Sequence, residues 1–221
     1  MGTHLTLTAA DGHTFNAYRA DPIGTPKGGI VVIQEIFGVN HHIRSVTDRF
    51  AALGYVAIAP ALFDRIERNF ECGYSQEEVQ HAMQLVQARP VAGWMQDIAA
   101  SRDAIADAGK IGVTGFCLGG SLVYGAAVNL PGFAVGIGYY GGMIASMADQ
   151  APKIPTMLHF GELDAHIPMS DVEMIKQKQP GVIVHTYNAD HGFQCDERGS
   201  FNPEAAQIAW GRTLRFLDSH M

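Results

Sequence analysis

Three residues far apart in the chain, Cys117, Asp164 and His191, each follow an apolar run that reads as a strand. Cys117 stands in "VTGFCLGGS", where a strand enters a glycine-rich break and a helix leaves it. Gly115-Phe116-Cys117-Leu118-Gly119 matches the nucleophile elbow, with cysteine in place of serine. The small residues let strand and helix approach closely around a strained nucleophile. A thiol at neutral pH needs a base, and the base needs a partner to orient it. His191 in "NADHGFQCD" and Asp164 in "FGELDAHIP" supply both types. The expected roles are attack by Cys117, proton transfer by His191 and orientation of the imidazole by Asp164. The plainer alternative is an inert structural cysteine in a tight turn. That alternative leaves the other two strand-end residues unexplained.

Further residues gather on the same logic. A helix N-terminus at Leu118 brings partial positive charge, which favours a thiolate at Cys117. The Leu118 N–H is placed to meet a developing oxyanion. The Ile36 N–H, in the loop after "GGIVVIQ", is the natural second donor. Glu35 in that loop is costly to bury without a partner. It either lines the site near Cys117, or is a solvated loop carboxylate, or pairs with a nearby arginine. Tyr139-Tyr140 ends another buried strand and either shapes the pocket or caps the sheet. His166 either lines the pocket or faces water. His159 and His185 lie within strands and read as packed or hydrogen-bonded side chains. His41-His42 read as surface residues at a helix start, because no further metal ligands stand at sensible spacing. Cys72 and Cys195 have no evident base and read as unreactive thiols. "YYGGM" lacks the lysine and hydroxyl residue of a phosphate loop.

The elements that must carry these residues alternate between strand and helix. Asp11-Gly12 turns an antiparallel hairpin. Ile30 to Ile33, "YVAIAPAL", "KIGVTGF", "FAVGIGYYG", "IPTMLHFG" and "VIVHTYN" read as strands. A helix from about Asn40 to Leu53 places Ile43, Val46, Phe50 and Leu53 on one face, and Gly54 stops it. Val79, Met83 and Val86 mark a helical face over 76–88, and Trp94, Ile98 and Ile105 mark the next. "SLVYGAAVNL" is apolar on nearly every side. The last helix opens with Asn202 as N-cap and Pro203 as first residue, its buried stripe being Ala206, Trp210, Leu214 and Leu217. This order predicts an α/β protein whose mostly parallel central sheet is flanked by helices on both faces. Ligands of such sheets sit beyond the carboxyl ends of the strands.

Composition narrows the function classes. The 221 residues suit one domain, 1–221, with a sizeable core. A formal net charge of −7 argues against a nucleic-acid partner. No apolar run reaches the ~20 residues needed to cross a bilayer, and "MGTHLTLTAADG" shows no secretion signal. Three widely spaced cysteines make no disulfide framework and suit a reducing cytoplasm. No metal or organic cofactor is expected, and a monomer is the weak preference.

The pieces "QEIFGVN", "GFCLGG", "VGIGYYG", "GELDAHIP" and "ADHGF" together resemble the dienelactone hydrolase family, in its order and over nearly the whole chain. The resemblance implies an α/β-hydrolase fold and a Cys117-His191-Asp164 triad. It further implies that Glu35 trades hydrogen bonds with the thiol until substrate displaces it, and that Ile36 and Leu118 are the oxyanion donors. Its type activity is carboxymethylenebutenolidase chemistry, the opening of an unsaturated lactone to maleylacetate. Lactone-cleaving members hold the substrate carboxylate with arginines, one of them four residues after the catalytic histidine. Here that position is Cys195, with Arg198 close by as a substitute. Arg65 and Arg68 are candidates for the other arginine, and Tyr140 for a further substrate contact. The resulting expectation is hydrolysis of a small ester or lactone through an acyl-thioester on Cys117. The rival readings are a non-catalytic or redox-responsive thiol protein on the same scaffold, and acyl transfer to an acceptor other than water.

Overall fold

The computed structural model describes residues 2–88 and 90–221. The chain divides into two compact units, Met1–Ile111 and Gly112–Met221.

In the first unit, β1 (Thr3–Thr8) and β2 (Thr14–Ala20) form the antiparallel hairpin, closing at Thr8 opposite Thr14. Gly12 turns it with φ +83°, a left-handed backbone that glycine adopts without steric cost. β2 pairs antiparallel with β4 (Val56–Pro60), and β4 pairs parallel with β3 (Gly29–Ile33). Every residue of β3 and β4 is buried. Successive side chains point to opposite faces of a sheet, so both faces there are covered. Helix α1 (His41–Ala52) begins where the Asn40 side chain accepts the Ile43 N–H at 3.2 Å. Gly54 follows its end with φ +99°.

Helices α2 (Gln76–Ala88) and α3 (Val91–Asp103) complete this unit. On α2 the buried residues are Ala82 and Leu85, while Met83 is exposed. The expected stripe through Met83 is therefore turned toward the smaller Ala82. His42 corrects another expectation. It is buried rather than at the surface, because it shares the inward face of α1 with Ile43 and Val46.

In the second unit, β5 (Ile111–Phe116), β6 (Val135–Tyr139), β7 (Thr156–Gly161) and β8 (Ile183–Tyr187) lie side by side in chain order. All their pairings are parallel. β5 to β7 are buried throughout, whereas β8 is half-exposed. Helices α4 (Leu118–Asn129), α5 (Ile144–Met147), α6 (Met169–Lys178) and α7 (Pro203–His220) connect and follow them. The Asn202 side chain caps α7 by accepting the Ala205 N–H at 3.1 Å. Its buried face runs through Ala206, Ala209, Thr213, Phe216 and Leu217. Trp210 and Leu214 are only half-buried, which rotates the expected stripe toward Thr213. That rotation has a polar cause, described below. Because β5 to β8 are parallel neighbours, the four loops at their carboxyl ends share one edge.

Candidate active site

Cys117 occupies the turn between β5 and α4 at φ +54° and ψ −112°. A non-glycine residue held there costs roughly 1–3 kcal/mol and persists only where its surroundings enforce it. They do so through the backbone: the Cys117 N–H donates to the Tyr139 carbonyl at 3.0 Å, and the Ser121 N–H to the Cys117 carbonyl at 3.2 Å. Gly120 permits the approach, since any Cβ there would collide with the Tyr139 carbonyl oxygen. Leu118 is the first helical residue. Helix geometry leaves its N–H no acceptor within α4.

Asp164 and His191 sit on loops laced together past the ends of β7 and β8. Glu162 N–H donates to Tyr187 O at 2.8 Å, and Leu163 N–H to Ala189 O at 3.0 Å. A side chain at Gly161 would block this approach, because its Cβ would run into Ala189 O. The Asp164 side chain is fully buried. One carboxylate oxygen accepts the His166 backbone N–H at 2.8 Å, and the other faces His191 Nδ1 at 2.7 Å. The His191 ring also hydrogen-bonds the Cys117 side chain. With Nδ1 committed to Asp164, that bond falls to Nε2. Burial alone would lower the His191 pKa. The hydrogen bonds to Asp164 and Cys117 outweigh it and raise the pKa to about 10. The ring thus lies between a carboxylate and a sulfur, and both partners favour its cationic form. Such an arrangement can present sulfur as a nucleophile and deliver a proton from the neighbouring nitrogen.

Aromatic residues enclose the imidazole. The Tyr140 ring lies 5.0 Å from it, centroid to centroid, and the His166 ring 5.4 Å away. Tyr140 is fully buried, while His166 is otherwise exposed. Behind them runs a polar network. Tyr139 stacks on His159 with ring centroids 4.4 Å apart, and its hydroxyl lies 2.6 Å from Thr213 Oγ1. The two His159 ring nitrogens contact Tyr187 Oη at 2.8 Å and Thr213 Oγ1 at 3.2 Å. Burial pushes the His159 pKa well below the usual imidazole value. This network draws Thr213 inward on α7 and explains why Trp210 is turned partly out.

The remaining expected residues fall in different places. Glu35 and Ile36 follow β3 in the first unit. Glu35 is 1% exposed and so is not a solvated loop carboxylate. Its peptide carbonyl accepts a hydrogen bond from Gln34 Nε2 at 3.3 Å, and Gln34 Oε1 in turn accepts the Leu62 N–H at 3.1 Å. Arg65 is consumed by an ion triad, with contacts of 2.7 Å to both Asp97 and Asp11. Arg68 is tied to Thr14. Arg198 lies over Gly192, where any Cβ would strike its guanidinium. Cys195 is fully buried. Cys72 is half-buried, and burial, with Glu78 and Glu71 nearby, pushes its thiol up to about 11. Among the described residues no group of three or more His, Cys, Asp or Glu could hold a metal ion, and no helix is long and apolar enough to cross a membrane. Sequence reasoning missed the contact of Tyr140 and His166 with His191. The only signal was their place just past strands at the same edge.

Comparison with known proteins gives a consistent result. The model of the dienelactone hydrolase family matches residues 15–221. A provisionally named carboxymethylenebutenolidase of Synechocystis sp. is 38% identical, over 92% of this chain and 91% of its own. The carboxymethylenebutenolidase of Pseudomonas putida is 30% identical, over 96% and 94% respectively. A crystal structure of a provisionally named dienelactone hydrolase of Klebsiella pneumoniae superposes with a TM-score of 0.85 at 28% identity, covering 98% of both chains.

Proposed function

Since the chain belongs to the dienelactone hydrolase family, has its α/β-hydrolase fold and is a hydrolase of that type, we propose that it opens a small ester or lactone of carboxymethylenebutenolidase type with Cys117, His191 and Asp164. The observation that carries this reading is the continuous chain of hydrogen bonds from Asp164 through His191 to Cys117. Cys117 sulfur attacks the carbonyl carbon. The acyl C–O bond breaks, and the departing oxygen takes the Nε2 proton of His191. An acyl-thioester on Cys117 remains. The now neutral His191 takes a proton from water, whose oxygen attacks the thioester. Sulfur leaves as thiolate beside the restored imidazolium, and the product is a carboxylic acid. Asp164 keeps Nδ1 protonated throughout and stabilises the cation.

The Leu118 and Ile36 N–H groups are the proposed oxyanion donors, each worth about 10²–10³ in rate in comparable sites. Glu35 is the proposed carboxylate partner of the resting thiol, whose proton passes to His191 Nε2 when substrate displaces Glu35, leaving the attacking thiolate beside an imidazolium. Arg198, beside the histidine loop, is the proposed partner of a substrate carboxylate; Arg65 is held by Asp97 and Asp11, and Arg68 by Thr14. Tyr140 is buried against His191 and belongs with the imidazole more than with an open pocket.

Intact-mass measurement after mixing with a panel of lactones and alkyl esters tests the mechanism. Wild-type protein is expected to show a transient acyl adduct that Cys117→Ala lacks, together with loss of turnover. Undiminished turnover in Cys117→Ala ends the proposal. Arg198→Ala is expected to raise KM roughly tenfold for lactones bearing a carboxylate, as loss of a charge-assisted hydrogen bond does. Neutral lactones should be unaffected.

A further inference from the structure

Among the described residues, three that are not glycine have a left-handed backbone: Asn69, Cys117 and Tyr140. Asparagine tolerates that conformation, whereas cysteine and tyrosine do so only when forced. Cys117 bears the sulfur. Tyr140, at φ +37°, has no part in the reaction as written above. Its strain is nonetheless firmly maintained. The Tyr140 N–H donates to the His159 carbonyl at 2.7 Å. The next residue, Gly141, is pressed so closely on the first turn of α4 that a Cβ there would stand 2.6 Å from the Ser121 nitrogen. The ring is then walled in by Phe193 at 5.5 Å and Phe116 at 6.4 Å between centroids. The Tyr139 ring stands 6.2 Å away, and the His191 imidazole, tilted at 56°, is the nearest of the four rings at 5.0 Å. A side chain that merely filled space would need neither this backbone nor this aim.

We infer that Tyr140 is a positioning residue for the reaction: its strained backbone sets its aromatic ring against His191, holding the imidazolium in line between Asp164 and Cys117. The centroid separation is within the range over which a cation is attracted to the face of an aromatic ring. In the second unit the charged or titratable groups near this imidazole include the Cys117 sulfur, the Asp164 carboxylate, the His166 ring and the Asp190 carboxylate, which accepts the His191 backbone N–H, with the Arg198 guanidinium over the adjoining Gly192. Tyr140 adds attraction for the cation without adding charge. The inference rests on the reaction proposed above, but its test does not require turnover.

The test compares phenylalanine at position 140 with a ring-fluorinated phenylalanine of nearly the same shape, introduced by genetic encoding. Protonation of His191 is followed by ¹⁵N NMR of labelled histidine. The signal is assigned by its loss in His191→Gln, and the titration is run in a His166→Ala background to remove that neighbour. Tyr140→Phe is expected to keep the His191 midpoint close to that of the tyrosine protein. Fluorination, which drains the ring face of negative charge, is expected to lower the midpoint by roughly half a unit to one unit. Equal midpoints for the two rings overturn the inference, since a ring that only fills space would not distinguish them. Tyr140→Leu offers a second reading: kcat should fall about tenfold with KM changed less than twofold, and Tyr140→Phe should recover most of the loss. A Leu variant that fails to fold leaves the decision with the two rings. Absence of ester turnover in the native protein would defeat the reaction proposed above and leave the NMR comparison intact.

Discussion

Two histidines of the second unit, His159 and His191, are both largely enclosed, yet their pKa values are driven in opposite directions. His159 lies among hydroxyl groups, those of Tyr187 and Thr213, and its pKa is driven far down by burial. His191 meets a buried carboxylate and a sulfur, and its pKa is driven up to about 10 against the same burial effect. Desolvation disfavours the cation in both places. The partners decide the outcome. Hydroxyls satisfy a neutral ring, one nitrogen donating and the other accepting, whereas a carboxylate in a dry setting is best met by a cation. The fold thus sets one side-chain type among hydroxyls and, near the same sheet edge, between a carboxylate and a sulfur.

The sharpest way to break this comparison is to remove the charge that separates the two. Asp164→Asn keeps the shape but takes away the anion and permits the wrong tautomer of His191. The expected loss in kcat is about 10³–10⁴-fold, the scale seen when a triad carboxylate is so replaced, and the His191 NMR midpoint should fall from about 10 toward the ordinary imidazole range. Full activity in that variant would show that Asp164 does not set the charge of His191 in turnover.

His159→Leu probes the other half. It leaves the hydroxyls of Tyr187 and Thr213 short of a partner, and denaturant melts should show a loss of roughly 1–3 kcal/mol. The His191 midpoint should stay within a few tenths of a unit, because His159 is not among the groups that set it. A large shift there would mean that the two histidines titrate as one system.

The smallest expected effect is on stability against pH, and its signs differ between the two residues. His191 has a raised folded pKa. Its contribution is complete below the unfolded value of 6.5 and is lost as pH rises toward and through about 10. His159 has a depressed folded pKa. Its contribution is complete above 6.5 and is lost as pH falls below that value. Each slope is bounded by about 1.4 kcal/mol per pH unit for one proton. Asp164→Asn should flatten the alkaline limb of the melting profile, and His159→Leu the acid limb. Flattening of the same limb by both would refute the assignment of opposite pKa directions.

The amino-acid sequence by itself determined the periodic elements and which reactive side-chain types follow the strands. Continuous apolar runs announce strands; Cys117 directly follows one, and Asp164 and His191 stand in the loops just past two others. Asn40, Gly54 and Asn202 mark helix boundaries through local hydrogen bonding and backbone freedom, which depend on near neighbours alone. Only the tertiary structure decided what distant groups do to one another. Arg65 could be known as an ion-triad residue only once Asp11 and Asp97 were seen beside it. Thr213 displaced Trp210 from the buried face of α7 because Tyr139 and His159 offered it hydrogen bonds. His42 went inward because α1 turned that face to the core. The charge of an imidazole and the aim of Tyr140 belong to this second kind. Both depend on which groups lie within a few ångströms, and that is a property of chain segments brought together from far apart, invisible to spacing along any one of them.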